Sequence, residues 1–174
     1  LFSGADGGNL RLKVTNDGGL LIDGGIGTGG VDVAEAFAVD GDPSDYEPGD
    51  VLVISEVSDA RAEKSSAPSS TRVIGVHATK PGMILSRRGA EEDMSQSVPL
   101  GVLGVIPTKV TSEGGPIRRG DLLVTSSTPG HAMKARAVIV QGVAILPTGA
   151  VLGKALQEFD GPGTGLIEVL VNVR

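Results

Sequence analysis

Gly-Asp steps that launch short apolar runs recur along this chain, and they constrain its fold more than any other feature. The segment Pro48-Gly-Asp-Val-Leu-Val-Ile-Ser55 has a counterpart in Arg119-Gly-Asp-Leu-Leu-Val-Thr-Ser126. In each case a Val-aliphatic-Gly step follows further on, Val73-Ile74-Gly75 and Val151-Leu152-Gly153. A Gly-Asp turn before a β-branched run starts a strand, because Gly supplies the turn and the Asp side chain can hydrogen-bond the turn backbone. Two such halves predict a duplicated β-meander that closes one pseudo-symmetric barrel or sandwich.

Composition points the same way. The 174 residues include 27 Gly and 10 Pro, a density that cuts a chain into short elements. Aromatic residues make up only 2%, so the core must be built from Val, Ile, Leu and Ala, which favours strands. Expected strands are Val51–Ser55, Val73–Ala78, Val98–Val105, Leu122–Ser126, Val138–Ile145, Val151–Ala155 and Ile167–Val173. Two stretches, Val31–Phe37 and Glu91–Gln96, have room for a helical turn. Residues 56–70 and 86–97 read as polar loops. The fold class is all-β.

Residues 1–30 have a different texture. Asn9–Thr15 alternates apolar and polar residues, Asn16-Asp17-Gly18-Gly19 is a hairpin turn, and Leu20–Ile22 returns as a strand. Gly24–Gly30 follows as a Gly-rich linker. A hairpin with so little core is marginal alone, so it is expected to pair with other copies of itself or with an upstream shaft. The domain reading is 1–30 for this attachment segment and 31–174 for a β-barrel-like body. The Leu1 start, without Met, reads as a piece of a longer protein.

Several function classes find no support. A net charge of −6 with few aromatics argues against nucleic-acid binding, which uses a basic face and stacking rings. Cys is absent, which removes disulfides, thiolate metal sites and Cys nucleophiles. No apolar run is long enough to span a membrane as a helix. Gly25-Ile26-Gly27-Thr28-Gly29-Gly30 matches a dinucleotide-binding pattern, but residues 31–39 are too short before Gly41 and Pro43 to supply the helix it needs, so it is read as linker. Arg119-Gly120-Asp121 matches a cell-adhesion tripeptide, and the parallel Pro48-Gly49-Asp50 marks it as a turn. His77 and His131 lack the partners of a metal site, and no Ser lies in a hydrolase elbow. No cofactor and no metal is expected.

Asp32 and Glu35 are the candidate catalytic residues. Three positions apart, they would meet on one helical face and could share a proton. The plainer alternative makes Asp32 an N-cap and Glu35 its capping-box partner.

A family resemblance enters at these residues. Gly-Gly-Val-Asp-Val-Ala-Glu-Ala-Phe (29–37), Glu-Pro-Gly-Asp-Val-Leu-Val-Ile (47–54), Val-Ile-Gly-Val-His-Ala-Thr-Lys-Pro-Gly (73–82), Val-Pro-Leu-Gly-Val-Leu-Gly-Val-Ile-Pro (98–107), the run from Gly120 to Lys134 and Gly-Lys-Ala-Leu (153–156) occur in that order. The order resembles C-terminal domains of bacterial and phage fibre-like and β-repeat surface proteins. It is more distantly similar to the peptidase G2 domain, a self-cleaving module of phage appendage and tailspike proteins. The resemblance implies a homotrimeric β-fibre end, attached to an upstream shaft of the same polypeptide and located outside the cell, on a cell surface or on a virion. It also implies self-cleavage by carboxylates, with Asp32 and Glu35 at the matching positions. The chain departs from those phage relatives in having Ala36-Phe37-Ala38 where an aromatic-rich stretch is common. The expected function is structural and assembly-related, the alternatives being a self-cleaving intramolecular chaperone and a tip that binds a surface receptor or glycan.

Overall fold

The structure, a computed structural model, describes residues 2–6, 9–17, 19–23, 30, 32–86, 95–146 and 149–173. It is almost entirely β. The N-terminal segment forms an antiparallel sheet of its own, β1 (Phe2–Asp6), β2 (Asn9–Val14) and β3 (Leu20–Ile22), in the order β1-β2-β3. The expected hairpin is therefore β2–β3, with a further strand paired in front of it. Residues 24–29 of the Gly-rich linker lie outside the described residues.

The body is a ten-stranded sheet system with a palindromic order. Its first half contributes β4 (Asp32–Ala38), β5 (Val51–Ile54), β6 (Ala62–Lys64), β7 (Val73–His77), β8 (Met83–Leu85) and the long β9 (Ser97–Thr111). Its second half contributes β10 (Leu122–Thr125), β11 (Ala132–Lys134), β14 (Gly153–Ala155) and β15 (Thr164–Asn172). A separate hairpin, β12 (Val138–Val140) and β13 (Val143–Ile145), is inserted between β11 and β14. The main path runs β11-β10-β14-β15-β9-β7-β5-β6, so the second half mirrors the first about the antiparallel β9–β15 pair.

Register confirms the duplication residue by residue. Leu52 stands opposite Lys64 on one side and Gly75 on the other. Leu123 stands opposite Lys134 and Gly153 in the same way. Each half closes a ring through a single parallel bridge, Val39 with Ala62 and Val110 with Ala132. The first ring is β4-β9-β7-β5-β6 and the second β9-β15-β14-β10-β11, with β9 common to both. The one barrel expected from the sequence is thus two small rings fused along a strand. Sharing β9 also explains its length: it continues through Pro99 and Pro107 to Thr111, well past the expected 98–105.

The core follows the repeat. One apolar cluster joins Val39, Tyr46, Leu52, Ala62, Val98 and Leu100. The equivalents Val110, Ile117, Leu123, Ala132, Ile167 and Val169 lie in a second cluster, which also takes in Val51, Val53, Val73 and Val76 of the first half. The halves therefore fold around a shared core. Full burial of one such Val, Leu or Ile side chain stabilises by about 1.5–3 kcal/mol.

Other expectations change for identifiable reasons. The helical turn at 31–37 is instead β4 over Asp32–Ala38, because this segment finds ladder partners on both edges, β9 antiparallel and β8 parallel. The run 138–145 folds back on itself at Gln141 and Gly142, both with positive φ (50° and 82°), giving β12 and β13 in place of one strand. The loop expected at 56–70 contains β6. Within 86–97, residues 87–94 lie outside the described residues, which takes most of the possible turn at 91–96 with them; Ser95 and Gln96 form a turn leading into β9.

Candidate functional site

Three places in the body stand apart from ordinary packing: a buried ionic centre, a cavity beside β4, and an exposed apolar hairpin. The ionic centre is built on Asp50, 1% exposed, at the turn before β5. Its carboxylate accepts from the Glu47 backbone N–H at 2.9 Å, from Lys64 Nζ at 2.9 Å and from Lys109 Nζ at 2.7 Å. Lys109 also reaches Glu47 at 2.6 Å. Burial is the largest single influence on Asp50 and pushes its carboxyl up. The hydrogen bonds from Lys109, the Glu47 backbone and Lys64 outweigh it, and the net result lies below the usual carboxylate range.

The second half repeats this motif at its own Gly-Asp turn. Asp121 accepts from the Arg118 backbone N–H at 2.7 Å and pairs with Lys134 at 2.8 Å. Lys64 and Lys134 occupy matching register positions opposite Leu52 and Leu123. Arg119 pairs with Glu158 at 2.8 Å. Both charged ends of Arg119-Gly120-Asp121 are thereby engaged within the chain, which supports the turn reading of that tripeptide.

His77 sits at the end of β7 beside the Asp50 centre. Its backbone N–H donates to Asp50 O at 2.8 Å, and its Nδ1 is buried without a hydrogen-bond partner. Burial pushes the imidazole below its ordinary value, and the Asp50 carboxylate opposes this without cancelling it. His131 lies in the Thr128–His131 turn, with Nδ1 2.7 Å from Pro129 O. Among the described residues no three His, Asp or Glu side chains converge as metal ligands.

Asp32 and Glu35 do not meet as on a helix. Both lie on β4, where residues three apart project to opposite faces, and Asp32 and Ala34 are the buried positions while Val33 and Glu35 are half-buried. Asp32 is 7% exposed, its Oδ2 lacks a hydrogen-bond partner, and burial pushes its carboxyl above the usual range against the opposing pull of its own and the Gly82 N–H groups. It lines a cavity of about 290 Å³ with Gly30, Thr79, Lys80, Val105, Pro107 and Glu168. The carboxylate that shares this cavity with Asp32 is Glu168. Sequence reasoning missed it because only the β9–β15 register, Glu168 opposite Pro107, brings it there.

The third place is the β12–β13 hairpin. Val138, Ile139, Val140, Val143 and Ile145 are each between 46% and 65% exposed. Successive strand residues point to opposite faces, so this hairpin shows apolar side chains to water on both. Leu20, Leu21 and Ile22 of β3 and Met83, Ile84 and Leu85 of β8 are also exposed. Tyr46, Phe37 and Phe159, by contrast, pack on the cores and form no open aromatic platform for a sugar. No helix among the described residues is long and apolar enough to cross a membrane.

No protein-family model and no curated protein matches this sequence. In fold the chain is similar to the crystal structure of pre-mature bacteriophage phi29 gene product 12, at 14% identity and a TM-score of 0.59. The match covers 94% of this chain and 24% of that one, so the chain corresponds to about a quarter of the phage protein's length. It adds nothing to the peptidase G2 resemblance. What it establishes, nearly end to end, is a fold shared with part of a bacteriophage protein.

Proposed function

We propose that the chain is a structural and assembly module at the C-terminal end of a homotrimeric fibre, tail fibre or surface appendage, exposed outside the cell or on a virion. The observation that carries this reading is the β12–β13 hairpin with its two apolar faces. A two-stranded ribbon alone is marginal in water, and clustered exposed apolar side chains mark contact surfaces. Packing between copies buries both faces at once if the contact is head-to-tail and the ring closes. The segment 1–30, with its exposed β3, then joins the 31–174 body to an upstream shaft. The fold shared with part of a phage protein supports this setting. Sedimentation equilibrium tests it: the expected mass is three times that of the chain, and a stable monomer at micromolar concentration overturns the reading.

A second reading, a self-cleaving intramolecular chaperone, is favoured by one observation. Asp32 is a buried carboxyl, pushed above the usual carboxylate range by burial, two residues after Gly30, where the chain enters the body. In a longer precursor, Asp32→Asn should abolish processing if Asp32 is the acid, and Glu35→Gln tests the second carboxylate. Unchanged cutting in both variants removes this reading.

A further inference from the structure

Resting on the trimeric reading above, we propose that the outer face of the second ring receives the β12–β13 hairpin of a neighbouring copy. The receiving groove is lined by Leu122, Val151, Lys154 and Leu170. The duplication identifies this face. In the first half Val51 stands opposite Val76, and Val76 opposite Gly101. In the second half Leu122 stands opposite Lys154, and Lys154 opposite Leu170, at the same register positions.

The two sets differ in what covers them. Val51, Val53, Val73 and Val76 are almost wholly buried and share one core with Leu123, Leu152 and Ile167 of the second half. Ile106, on the part of β9 that belongs to the second ring, lies so close over Gly101 that a Cβ there would collide with its Cδ1. The second half has no third half behind it. Val124, the counterpart of Val53, is covered by Met133 and Ala150 of its own half. Leu122 and Val151 are only half-buried, Lys154 is exposed, and Leu170, in the place of Gly101, is 41% exposed. The face that joins the first half to its neighbour is thus left open in the second half.

The same comparison points to the occupant. The connection between β6 and β7 reaches across to the other half: Ser69 N–H donates to Thr125 O at 2.9 Å, and Thr125 Oγ1 donates to Ala67 O at 2.7 Å. Its counterpart, the connection between β11 and β14, carries the β12–β13 hairpin. Groove and hairpin are different surfaces, so contact between copies runs head-to-tail and closes as a ring. No charged residue stands from Ala137 to Gly153, so the hairpin enters an apolar groove without burying a charge. Lys154 lays its methylenes along the groove and keeps its ammonium in water. The groove, about 150 Å³, has the volume of an engineered apolar cavity that binds benzene, and it takes one large apolar side chain. Ile139, the most exposed apolar residue of the hairpin, supplies one. Leu103 and Leu166, exposed on the same outward face of the β9–β15 pair, extend the surface on which the ribbon lies.

The chain has no Cys, so thiols can be placed singly. Full chains carrying Ile139→Cys and Leu170→Cys, differently tagged, are co-expressed and treated with a short bis-maleimide, which bridges thiols without the strict geometry of a disulfide. Product joining the two tags is expected at several times the yield of cross-linked product from either variant alone. Replacing Leu170→Cys by Ile54→Cys, exposed on β5, should remove it. Leu170→Glu should raise the dissociation constant of the trimer by roughly a hundredfold or more, with an unchanged far-UV spectrum. A trimer that gives no mixed product, or gives it equally with Ile54→Cys, overturns the groove assignment and leaves the trimeric reading standing. So does a trimer whose dissociation a folded Leu170→Glu variant does not move. Abundant product from Ile139→Cys alone means that hairpins meet like to like, and it overturns the assignment too. A parent chain that sediments as a monomer removes the trimeric reading itself, and the groove assignment with it.

Discussion

Lys109 Nζ lies 2.7 Å from Asp50 Oδ1, and this contact ties the C-terminal end of β9 to the turn that launches β5. Removing the Lys109 charge leaves Asp50 with Lys64; removing Asp50 leaves two ammonium groups facing each other beside His77. Asp50→Ala should therefore cost about 3–5 kcal/mol, as for breaking a buried pair, and Lys109→Met less. The folded pKa of Asp50 is lowered, so its contribution is complete above the unfolded value of 3.8 and is lost as pH falls through the folded one. Urea unfolding between neutral and strongly acid pH should show a larger loss in the parent than in Asp50→Ala, where the other lowered carboxyls, Asp121 among them, still contribute.

His77 gives a second, separable pH effect. Its folded pKa is lowered, so the unfolded chain binds the proton more readily. Stability is full above the unfolded value of 6.5 and declines as pH falls below it, continuing until the folded group titrates. One proton limits the slope to about 1.4 kcal/mol per pH unit. His77→Gln, which cannot titrate, should flatten the stability profile just below pH 6.5 and leave the more acidic Asp50 effect in place. A parent profile that is flat there sinks this assignment.

The Val-aliphatic-Gly steps have a steric cause that predicts a third outcome. A Cβ at Gly153 would collide with the backbone carbonyl oxygen of Leu170 on β15, and one at Gly75 with that of Gly101 on β9. Neither neighbour is a flexible side-chain tip, so β14 or β7 must move away from its partner. Gly153→Ala should destabilise by about 2–3 kcal/mol, in the range of overpacked sites. Gly41→Ala meets no atom within 4 Å and bears only the strain of a φ of +75°. A cost at Gly153 no larger than at Gly41, in chemical denaturation, contradicts the steric account.

The repeat was legible in the sequence because its signal is local. Gly49-Asp50 and Gly120-Asp121 each combine a turn with the strand it launches, and one step of 71 positions carries Tyr46 to Ile117 and Leu52 to Leu123. Pairing between distant segments was not legible. Val39–Ala62 and Val110–Ala132 close the rings through single bridges that leave no pattern in either segment. The same holds for the site. Asp32 could be singled out as a carboxylate, but a helical reading gave it Glu35, while its cavity neighbour Glu168 comes from a strand far along the chain. A run with 3.6-residue spacing and one with ladder partners on both edges look alike over seven residues.

The hairpin is where assembly is most exposed to test. Ile139 stands opposite Ala144 and is 65% exposed, whereas Val57, 84% exposed, sits in a loop beside Ser55. A single exposed Val in a loop is ordinary; an apolar ribbon is not. If copies pack through β12–β13, Ile139→Glu buries a carboxylate at a contact between them and should raise the dissociation constant by roughly a hundredfold or more, the loss typical of a central interface residue. Val57→Glu should leave it unchanged. Sedimentation velocity across a dilution series reads both, and the far-UV spectrum shows whether the body stays folded. Equal dissociation in the two variants would mean that surface charge alone governs assembly, and an unshifted Ile139→Glu trimer would place the contact on β3 or β8 instead.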